Sequence, residues 1–519
     1  MAVSDRDLLS IQEARSLAAK AKEAQRSLAG FTQEQVDRIV DAMALAVRPE
    51  CERLARLAHE ETGFGNVKDK TLKNTFVSVD VHEFIRPLRT VGILREDKEA
   101  RVVEIAEPMG VVAAVVPSTN PTSTAINKAL ISIKARNAVV VTPHPSAKRC
   151  ILESIRVMHA PAVAAGLPPE ALACMTEVSL EGTQELMRHR DTGVILATGG
   201  VGLVRAAYSS GKPAYGVGPG NVPAYIEKTA DVAKAVRDVI DGKTFDYGTL
   251  CSSEQSLICD EAIKEQVIVE VKKNGGYFLS EAEVAAVSRV VVTPERLANP
   301  EIVGRPAPYI AAKAGISVPP ETRVLIAPLA GVGRDYPLSI EKLSPVLAFY
   351  VVKDWHEGCE RCLQLLRFGG TGHTLGIHSR DDAVIREFAF KKPVFRIVAN
   401  TMTSMGATGY TTGLAPSMSL GCGAYAGNIT SDNITPLHLI NIKRLAYERP
   451  RGLAAKPAAS EAATPKPVAP SAPPVDFVAE DDVRRAIREG RIIRVTRKAI
   501  VTPSARDAAL GKGVLEVVD

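Results

Sequence analysis

The alternation of apolar and polar residues changes character along the 519-residue chain. Residues 1–85 carry helical periodicity, as in FTQEQVDRIVDAMALAVR, and residues 86–107 alternate in the way of a polar-tipped β-hairpin. From residue 110, apolar runs such as GVVAAVVP and NAVVVTP alternate with helical segments, and a second such series follows over residues 228–420. Buried strands that alternate with helices predict an α/β fold with doubly wound parallel sheets in two lobes.

The end of the chain has a different texture. Residues 450–474 are mostly alanine and proline, which predicts an extended linker that buries no core. Beyond the linker, four apolar residues are expected near one helical face: Val483, Ala486, Ile487 and Ile493. Thr502 and Pro503 predict the start of another short helix, SARDAAL. This layout is typical of a tethered docking element, and a solvated surface helix or a disordered end is the alternative.

Composition narrows the class of protein. The content of 46% hydrophobic and 24% charged residues is that of a soluble globular protein, and no apolar run approaches the roughly 20 residues that span a membrane. The polar start lacks the apolar segment of a secretory signal. Eight cysteines without a disulfide-framework spacing fit a reducing cytosol. The formal charge of +5 forms no basic stripe, so we expect neither a nucleic-acid partner nor a membrane.

The stretch DYGTLCSSEQ, residues 246–255, holds Cys251 between a glycine turn and small polar residues. No apolar periodicity buries this cysteine as a core residue. A thiolate attacks carbonyl carbons far better than a hydroxyl group does, but a free thiol with a pKa of about 8.5 is only slightly ionised at neutral pH. A nucleophilic Cys251 therefore needs help from its surroundings, and for the local stretch alone a structural cysteine is the commoner case.

A second cysteine pattern suggests a metal site at first. His356, Cys359 and Cys362 form H-x-x-C-x-x-C, but both thiols recur at helical spacing with three apolar residues: Trp355, Leu363 and Leu366. No further ligand pair follows at zinc-finger spacing, so we predict core cysteines and no metal.

Six stretches stand in one order: PSTNPTST at 117–124, ATGGVGLV at 197–204, YGVGPGNVP at 215–223, GTLCSSEQ at 248–255, EKLSPV at 341–346 and GLAPSMSLGCGAYAGN at 413–428. Together they resemble the aldehyde dehydrogenase superfamily, and more narrowly its CoA-acylating branch, the acetaldehyde and propionaldehyde dehydrogenases of bacterial microcompartments. The resemblance extends over residues 1–448. It implies that Cys251 is the nucleophile.

The resemblance also implies a domain plan with a Rossmann-like cofactor domain, an α/β catalytic domain and a β-hairpin oligomerisation flap. The segments are an NAD-binding domain at 1–85 and 108–227, oligomerisation elements at 86–107 and 429–448, a catalytic domain at 228–428, the linker at 449–474 and a C-terminal targeting segment at 475–519. In the family such a flap docks on a neighbouring subunit, which implies a homodimer or homotetramer.

In that family the thiolate adds to an aldehyde, a hydride passes to a nicotinamide ring, and a thioester remains on the enzyme. Asn120, in the pattern P-x-x-N-P, matches the residue whose amide bonds the developing oxyanion together with the backbone N–H of Cys251. One such donor typically contributes 10² to 10³ in rate. An asparagine before proline is equally common as a turn residue, so both interpretations of Asn120 stay open.

The resemblance assigns the cofactor to further residues. Gly199, Gly200 and Gly202 follow an apolar strand and precede a helix, where their N–H groups can approach a phosphate, although the third position of a G-x-G-x-x-G pattern would be Arg205. Gly218 belongs to the next matching stretch. Glu341 matches a glutamate that holds ribose in relatives, and a solvated carboxylate at a helix start is the alternative.

NAD is favoured over NADP. Hydrolytic relatives hold the adenine ribose with K-P-A-E, where this chain has Thr142, Pro143, His144 and Pro145. Both charged groups of that motif are lost, while Lys148 and Arg149 stand nearby and would tolerate a 2′-phosphate.

Residues 215–223 depart from hydrolytic aldehyde dehydrogenases. Those enzymes carry E-L-G-G-K here, whose glutamate activates the water that releases the acid, whereas this chain reads Y-G-V-G-P-G-N without a carboxylate. Loss of a general base costs about 10² to 10⁴ in rate. We therefore expect coenzyme A to release the acyl group as the co-substrate. CoA-acylating relatives also resemble this chain at His373, whose ordinary pKa near 6.5 suits proton transfer with thiols, and a plain loop histidine is the alternative.

The tail has a resemblance of its own. IVTPSARDAALGKGV, residues 500–514, resembles the targeting segments of microcompartment enzymes, which bind the inner face of a protein shell. This implies a location in the bacterial cytoplasm inside a microcompartment, with shell proteins as partners. The expected activity is oxidation of a short aldehyde, propionaldehyde or acetaldehyde, to acyl-CoA. Two alternatives are a hydrolytic aldehyde dehydrogenase and a catalytically idle scaffold of the same fold.

Overall fold

The computed structural model describes residues 5–449 and 473–518. The chain divides into two compact units, Met1–Tyr447 and Glu448–Asp519, and most of the predicted Ala/Pro linker lies outside the described residues. None of the helices within the described ranges has the length and apolar character needed to cross a membrane.

Helices form the beginning of the first unit, as the periodicity predicts. Asp5 caps the first helix, and Thr32 with Gln35 forms a capping box on the second, which satisfies N–H groups that a helix start leaves unpaired. The helices are α1 Arg6–Leu28, α2 Gln33–Val47, α3 Cys51–Thr62, α4 Val67–Phe76 and α5 His82–Ile85.

The predicted hairpin follows. Its strands are β1 Gly92–Asp97 and β2 Val102–Pro108, which pair antiparallel.

The first parallel sheet has five strands in the order β5-β4-β3-β6-β7. All six residues of β3 and of β4 are buried, since helices cover both faces of a parallel sheet. The elements are β3 Val111–Val116, α6 Pro121–Lys134, β4 Ala138–Pro143, α7 Lys148–Ala164, β5 Leu172–Cys174, α8 Leu180–Arg188, β6 Thr192–Thr198, α9 Val201–Tyr208 and β7 Ala214–Val217.

The second parallel sheet has seven strands in the order β10-β11-β12-β9-β8-β13-β14. Its elements are β8 Val222–Ile226, α10 Val232–Thr244, β9 Glu254–Asp260, α11 Lys264–Lys273, β10 Gly276–Phe278, α12 Glu281–Val291, α13 Ala307–Lys313, β11 Val324–Pro328, β12 Val346–Val352, α14 Trp355–Phe368, β13 Gly372–His378, α15 Asp382–Phe390, β14 Val394–Ala399 and α16 Thr403–Gly406. The predicted α/β fold is confirmed.

The change from one sheet to the other falls earlier than the expected boundary between residues 227 and 228. Strand β8 pairs with β9 and β13 of the second sheet, so the boundary lies between Val217 and Val222. The physical reason is that β7 and β8 are both short apolar runs separated by glycine and proline, and only their hydrogen-bonding partners distinguish the sheets.

A third sheet joins distant parts of the chain. Strand β15 Ile440–Ala446, within the predicted element 429–448, pairs antiparallel with β2 of the hairpin. Six of its seven residues are exposed, so the sheet presents a solvent-facing surface.

The second unit differs from the expected pair of amphipathic helices. It alternates β16 Val475–Val478, α17 Glu480–Glu489, β17 Ile493–Val501, α18 Pro503–Ala509 and β18 Leu515–Val518, with all three strands parallel. The predicted start of the last helix is correct, since Thr502 accepts a hydrogen bond from the N–H of Ala505.

The predicted apolar helical face of the second unit is wrong in two respects. Ile493 begins β17 instead of extending the helix, and Ile487 is 40% exposed. Val483 and Ala486 are buried in a core that the unit's own strands complete. Gly490, in the left-handed conformation, ends the helix before the periodicity reaches Ile493.

Candidate active site

A cavity of about 510 Å³ lies where the carboxyl ends of β3, β4 and β6 meet loops of the second sheet. Carboxyl ends of parallel strands form the usual ligand crevice of such sheets. Its lining includes five of the predicted site positions from the first sheet: Asn120, Pro143, His144, Gly199 and Gly200. It also includes three from beyond that sheet: Gly218, Cys251 and Glu341.

Cys251 lies on the cavity wall just before β9. Asp246, Tyr247 and Gly248 have φ values of 47°, 52° and 78°, so three consecutive left-handed residues turn the chain sharply before the cysteine. The serines that follow anchor the loop: Ser252 Oγ donates to the carbonyl of Ser404 at 2.8 Å. The sequence shows the small residues, and the structure shows that they hold a strained turn.

The surroundings of Cys251 favour the protonated form of its thiol. The surrounding atoms that remove water from Sγ, together with the negative charge of Glu341, raise the pKa of the thiol to about 12. The guanidinium of Arg396, buried beneath the site, opposes this rise. Thiolate formation is therefore the step that a bound ligand or a base has to assist.

Asn120 connects β3 to α6 and is buried at the cavity edge. Its Nδ2 donates to the carbonyl of Thr249, two residues before Cys251, at 3.2 Å. Its Oδ1 accepts from Nζ of Lys73 at 2.6 Å. The amide thus lies beside the loop that carries the thiol, as an oxyanion donor would have to.

Glu341 stands in the loop before β12 instead of at a helix start. It accepts a hydrogen bond from the N–H of Gly220 at 2.9 Å. Burial raises the pKa of its carboxyl to about 7, against opposing effects of the Gly220 hydrogen bond and the charge of Lys243. A carboxyl group from outside residues 215–223 therefore reaches that stretch and changes charge near neutral pH.

His373 differs from expectation in its setting. It belongs to the buried strand β13 rather than to a flexible loop, and it does not line the cavity. Burial and the charge of Arg396 lower the pKa of its imidazole to about 3, so the ring is neutral instead of titrating near 6.5. A Cβ on Gly220 would lie 2.1 Å from the carbonyl oxygen of Cys251 and 3.2 Å from Cγ of His373, so Gly220 packs closely against both residues.

Of the glycine and T-P-H-P residues predicted to bind the cofactor, some line the cavity and others lie outside its wall. A Cβ on Gly200 or on Gly218 would meet no other atom within 4 Å, so these residues keep the cavity wall open for a ligand beside the start of α9. Gly202 lies in the first turn of α9, outside the lining. Thr142 is buried and bonds Thr183 at 2.9 Å, so it supports the site from behind.

The cysteines of the H-x-x-C-x-x-C pattern face a core. Cys359 and Cys362 are buried beside Leu365, and His356 stacks on Trp355. Within the described ranges, no group of three or more histidine, cysteine, aspartate or glutamate side chains is arranged to hold a metal ion. Cys422 is also buried.

Sequence reasoning missed a buried charged cluster behind Asn120. Lys70 and Lys73 of α4 both contact Asp246, the first residue of the stretch that drew attention to Cys251. The signal in the sequence was an aspartate five residues before the cysteine, together with two lysines three residues apart. Nothing local showed that these segments meet.

The comparisons with known proteins agree with this geometry. The model of the family described as "Aldehyde dehydrogenase family" matches residues 6–275. An acetylating aldehyde dehydrogenase from Geobacillus thermoglucosidasius is 53% identical, with a TM-score of 0.85 over 86% of this chain and 99% of that chain. This chain belongs to the aldehyde dehydrogenase family, and it is similar to members that are acetylating.

Two further relatives differ in extent. The bifunctional aldehyde-alcohol dehydrogenase of Escherichia coli (strain K12) is 44% identical over 441 residues, 84% of this chain and 49% of that protein, so this chain spans about half its length. A propionaldehyde dehydrogenase from the Clostridium phytofermentans fucose utilisation bacterial microcompartment is 28% identical, with a TM-score of 0.75 over 83% of this chain and 96% of that chain.

The electrostatics of the thiol give a first prediction. Because the carboxylate of Glu341 raises the pKa of Cys251, Glu341→Gln should lower that pKa, and the thiolate fraction grows about tenfold each time the pKa falls by one. Above the Glu341 pKa of about 7, alkylation of Cys251 by iodoacetamide should therefore be faster in the variant, as followed by peptide mass spectrometry. Glu254→Gln is the matched control, since Glu254 also has a pKa of about 7 but is not among the charges that alter the pKa of the thiol. Equal alkylation rates in wild type and Glu341→Gln would contradict the assignment.

Proposed function

We propose that this chain is a CoA-acylating, NAD-dependent aldehyde dehydrogenase that converts a short aliphatic aldehyde to acyl-CoA. Propionaldehyde is the favoured substrate and acetaldehyde the alternative. The observation that carries the proposal is one cavity in which the thiol of Cys251 and the amide of Asn120 stand beside the same loop, next to the glycine-flanked start of α9.

The chemistry assigns a task to each residue. Sγ of Cys251, once deprotonated, forms a bond to the carbonyl carbon, while Nδ2 of Asn120 and the backbone N–H of Cys251 hold the oxygen as its negative charge develops. NAD, when bound along Gly199, Gly200 and Gly218, supplies the acceptor for the hydride. Loss of the hydride leaves an acyl group on Sγ as a thioester. The thiolate of CoA then attacks this thioester, and the bond to Sγ breaks to release acyl-CoA and the free thiolate of Cys251.

His373 is proposed to act in proton transfer between thiols. Its Nε2 is buried without a hydrogen-bond partner and is free to bond a thiol, although the pKa of about 3 makes the neutral ring a weak base. Gly220, which separates the ring from the Cys251 loop, leaves room for the short path that such a transfer requires.

Hydrolysis to a free acid is the second candidate, and one observation favours it. Glu341 places a carboxyl group with a pKa of about 7 on the cavity wall, where it would suit a general base for water. We prefer acyl transfer to CoA because residues 215–223 contain no carboxylate and Glu341 is already bonded to Gly220.

The two candidates give opposite results in one assay. Steady NADH formation from propionaldehyde should require CoA, and without CoA we expect a burst of at most one NADH for each Cys251. Absence of the general base should slow hydrolysis about 10²- to 10⁴-fold relative to acyl transfer. Cys251→Ala should abolish both phases, while binding of NAD, measured by calorimetry, stays unchanged. Equal steady rates with and without CoA would establish the hydrolytic reaction instead.

NAD is proposed as the cofactor, with NADP less suitable. The start of α7, just after the T-P-H-P stretch, is a place where N–H groups attract anions. Here the carboxylate of Glu61 already accepts from the N–H groups of Arg149 and Cys150, both at 2.7 Å. A 2′-phosphate near Lys148 would therefore meet a negative charge instead of free donors.

The role of Glu61 can be measured as cofactor preference. Glu61→Gln removes the negative charge but keeps an oxygen acceptor, so kcat/KM for NADP relative to NAD should rise by roughly threefold to tenfold, the size of a charge effect at a helix end. Glu52→Gln is the control, because Glu52 is exposed on the same helix α3 and pairs with Arg56. An unchanged preference in Glu61→Gln would remove this residue from cofactor selection.

Self-association is proposed through the three-stranded sheet of β1, β2 and β15. Ile442 and Leu445 of β15 are 42% and 44% exposed, and Ile93 of β1 is 49% exposed. An exposed antiparallel sheet with apolar side chains is usually covered by another chain. A second copy of this protein is the proposed cover, in a dimer or tetramer.

The C-terminal unit is proposed to address the enzyme to the inner face of a microcompartment shell in the bacterial cytoplasm. Phe477 of β16 and Ile500 of β17 are register partners, and they are 57% and 65% exposed. Since a parallel sheet is normally covered on both faces, this pair is the proposed contact for shell proteins. Enclosure also suits chemistry on a volatile, reactive aldehyde.

A paired substitution tests the proposed shell contact. In cells that also express shell proteins, Phe477→Lys combined with Ile500→Lys should reduce the enzyme recovered with purified shells about tenfold or more, because both apolar contacts become charged. NADH formation should not change. Leu510→Lys is the control, since Leu510 is 82% exposed in the same unit but is not part of this pair. Undiminished recovery of the double variant would show that the sheet face does not address the shell.

A further inference from the structure

Helix α4 turns two lysines toward the protein interior. The side chains of Lys70 and Lys73 are 2% and 1% exposed, and Asp246 between them is fully buried. Lys70 Nζ lies 2.9 Å from Asp246 Oδ2, and Lys73 Nζ contacts the same oxygen. Burying charged groups costs free energy unless each is paired. Apolar side chains would fill the same space at lower cost, which suggests a role for the cluster beyond packing.

The two lysines differ in their remaining partners. Lys70 donates its other hydrogen bond to the backbone carbonyl of Thr119 at 3.3 Å. Lys73 donates instead to the side-chain Oδ1 of Asn120 at 2.6 Å. One lysine therefore contacts the main chain, and the other contacts the amide assigned to the oxyanion.

The contact from Lys73 decides which way the amide points. An ammonium group has only donors, so it accepts nothing from the NH₂ group of an asparagine. Oδ1 of Asn120 must face Lys73, and Nδ2 must face its acceptors on Thr119 and Thr249, two residues that line the cavity. With the amide reversed, an oxygen lone pair would point toward the developing negative charge and repel it.

Asp246 connects Lys73 to the loop that carries Cys251. Its Oδ2 also accepts from the hydroxyl of Thr249 at 2.7 Å, and its Oδ1 accepts from the N–H of Asn66 at 2.8 Å. A Cβ on Gly65 would lie 1.8 Å from Oδ1, so only glycine fits against the carboxylate there. The same carboxylate thus fixes Lys73 and the residue two positions before Cys251.

We propose that Lys73 is a positioning residue for the addition of Cys251 to the aldehyde, acting through Asn120 by fixing and polarising its amide. The inference rests on the proposed function, since Asn120 matters in this way only if an oxyanion forms at the cavity. The positive charge of the Lys73 ammonium, next to Oδ1, draws electron density from the amide and makes Nδ2–H a stronger donor. Loss of the ammonium should therefore cost much of what Asn120 itself contributes.

The charge state of Lys73 depends on the groups around it. Burial lowers the pKa of Lys73 to about 8, Lys70 contributes to this lowering, and the carboxylates of Asp246 and Asp69 oppose it. At the start of α6, Asn120 bonds Lys73 and Thr122 bonds Asn74 of α4, and neither residue carries a charge. Lys73 is protonated below its pKa and neutral above it, and a neutral amine no longer dictates the orientation of the amide.

A double-mutant cycle tests the proposal in single-turnover NADH bursts with saturating NAD. Asn120→Ala and Lys73→Met should each slow the burst about 10²- to 10³-fold, the effect of losing one oxyanion donor. The double variant should be no slower than Asn120→Ala alone, because Lys73 is proposed to act through Asn120 and not through Asp246 and the cysteine loop. Lys70→Met is the matched control: it removes an equally buried cation from the same carboxylate and should slow the burst by less than about tenfold.

The pH dependence of the burst rate tests the role of Lys73 without a substitution at that residue. The ratio of the wild-type burst rate to that of Asn120→Ala cancels the titration of the thiol, and it should fall as pH rises through about 8. In Lys70→Met the same decline should move to higher pH, because the charge that lowers the pKa of Lys73 is gone.

The outcomes separate this inference from the proposed function. Failure of the wild type to form acyl-CoA would overturn the proposed function, and with it the basis of this inference. If acyl-CoA forms but Asn120→Ala retains its burst rate, the oxyanion role and the inference both fail. If Asn120→Ala is slow, additive losses in the double variant, or a rate ratio that is constant with pH, would overturn the role of Lys73 alone.

Discussion

The buried carboxylate of Asp246 is the interaction on which the arrangement of this cavity depends. It joins α4, through Lys70 and Lys73, to the loop that carries Thr249 and Cys251. Two lysines and one aspartate buried together would leave an excess positive charge. Asp69, half-buried at the start of α4, accepts from the N–H of Asp246 and brings a second carboxylate to the group. Removing one partner of such a cluster typically costs about 3–5 kcal/mol, because the others stay buried without compensation.

The same cluster accounts for strain in the backbone. Asp246 and Tyr247 adopt left-handed conformations that non-glycine residues seldom take. Such geometry persists only where surrounding contacts fix it. Here, hydrogen bonds to both carboxylate oxygens and to the N–H of Asp246 hold the turn, and the turn places Cys251 at the cavity instead of in the adjoining core.

Charged groups of the second sheet and its loops set the pKa of Cys251. Glu341 comes from a loop and Arg396 from a strand, and each alters the pKa of the thiol without being close to it in sequence. Glu341 raises the pKa of Cys251, and Arg396 lowers it, so the balance of the two sets how readily the thiolate forms. The reactivity of Cys251 thus depends on charged groups that only the folding of the second sheet brings near its thiol.

The sequence by itself determined the α/β class, the hairpin and the candidate positions of Cys251, Asn120 and Glu341. Apolar periodicity and glycine spacing are local properties, so they can be read without knowing the partners of a segment. Only the tertiary structure decided that β8 belongs to the second sheet, that His373 is buried and neutral, and that Ile493 begins a strand. Each depends on which distant segments meet: pairing assigns β8, burial by neighbouring elements lowers the pKa of His373, and α4 brings two lysines to Asp246. The contacts of those lysines join residues more than a hundred positions apart, and no local pattern encodes them.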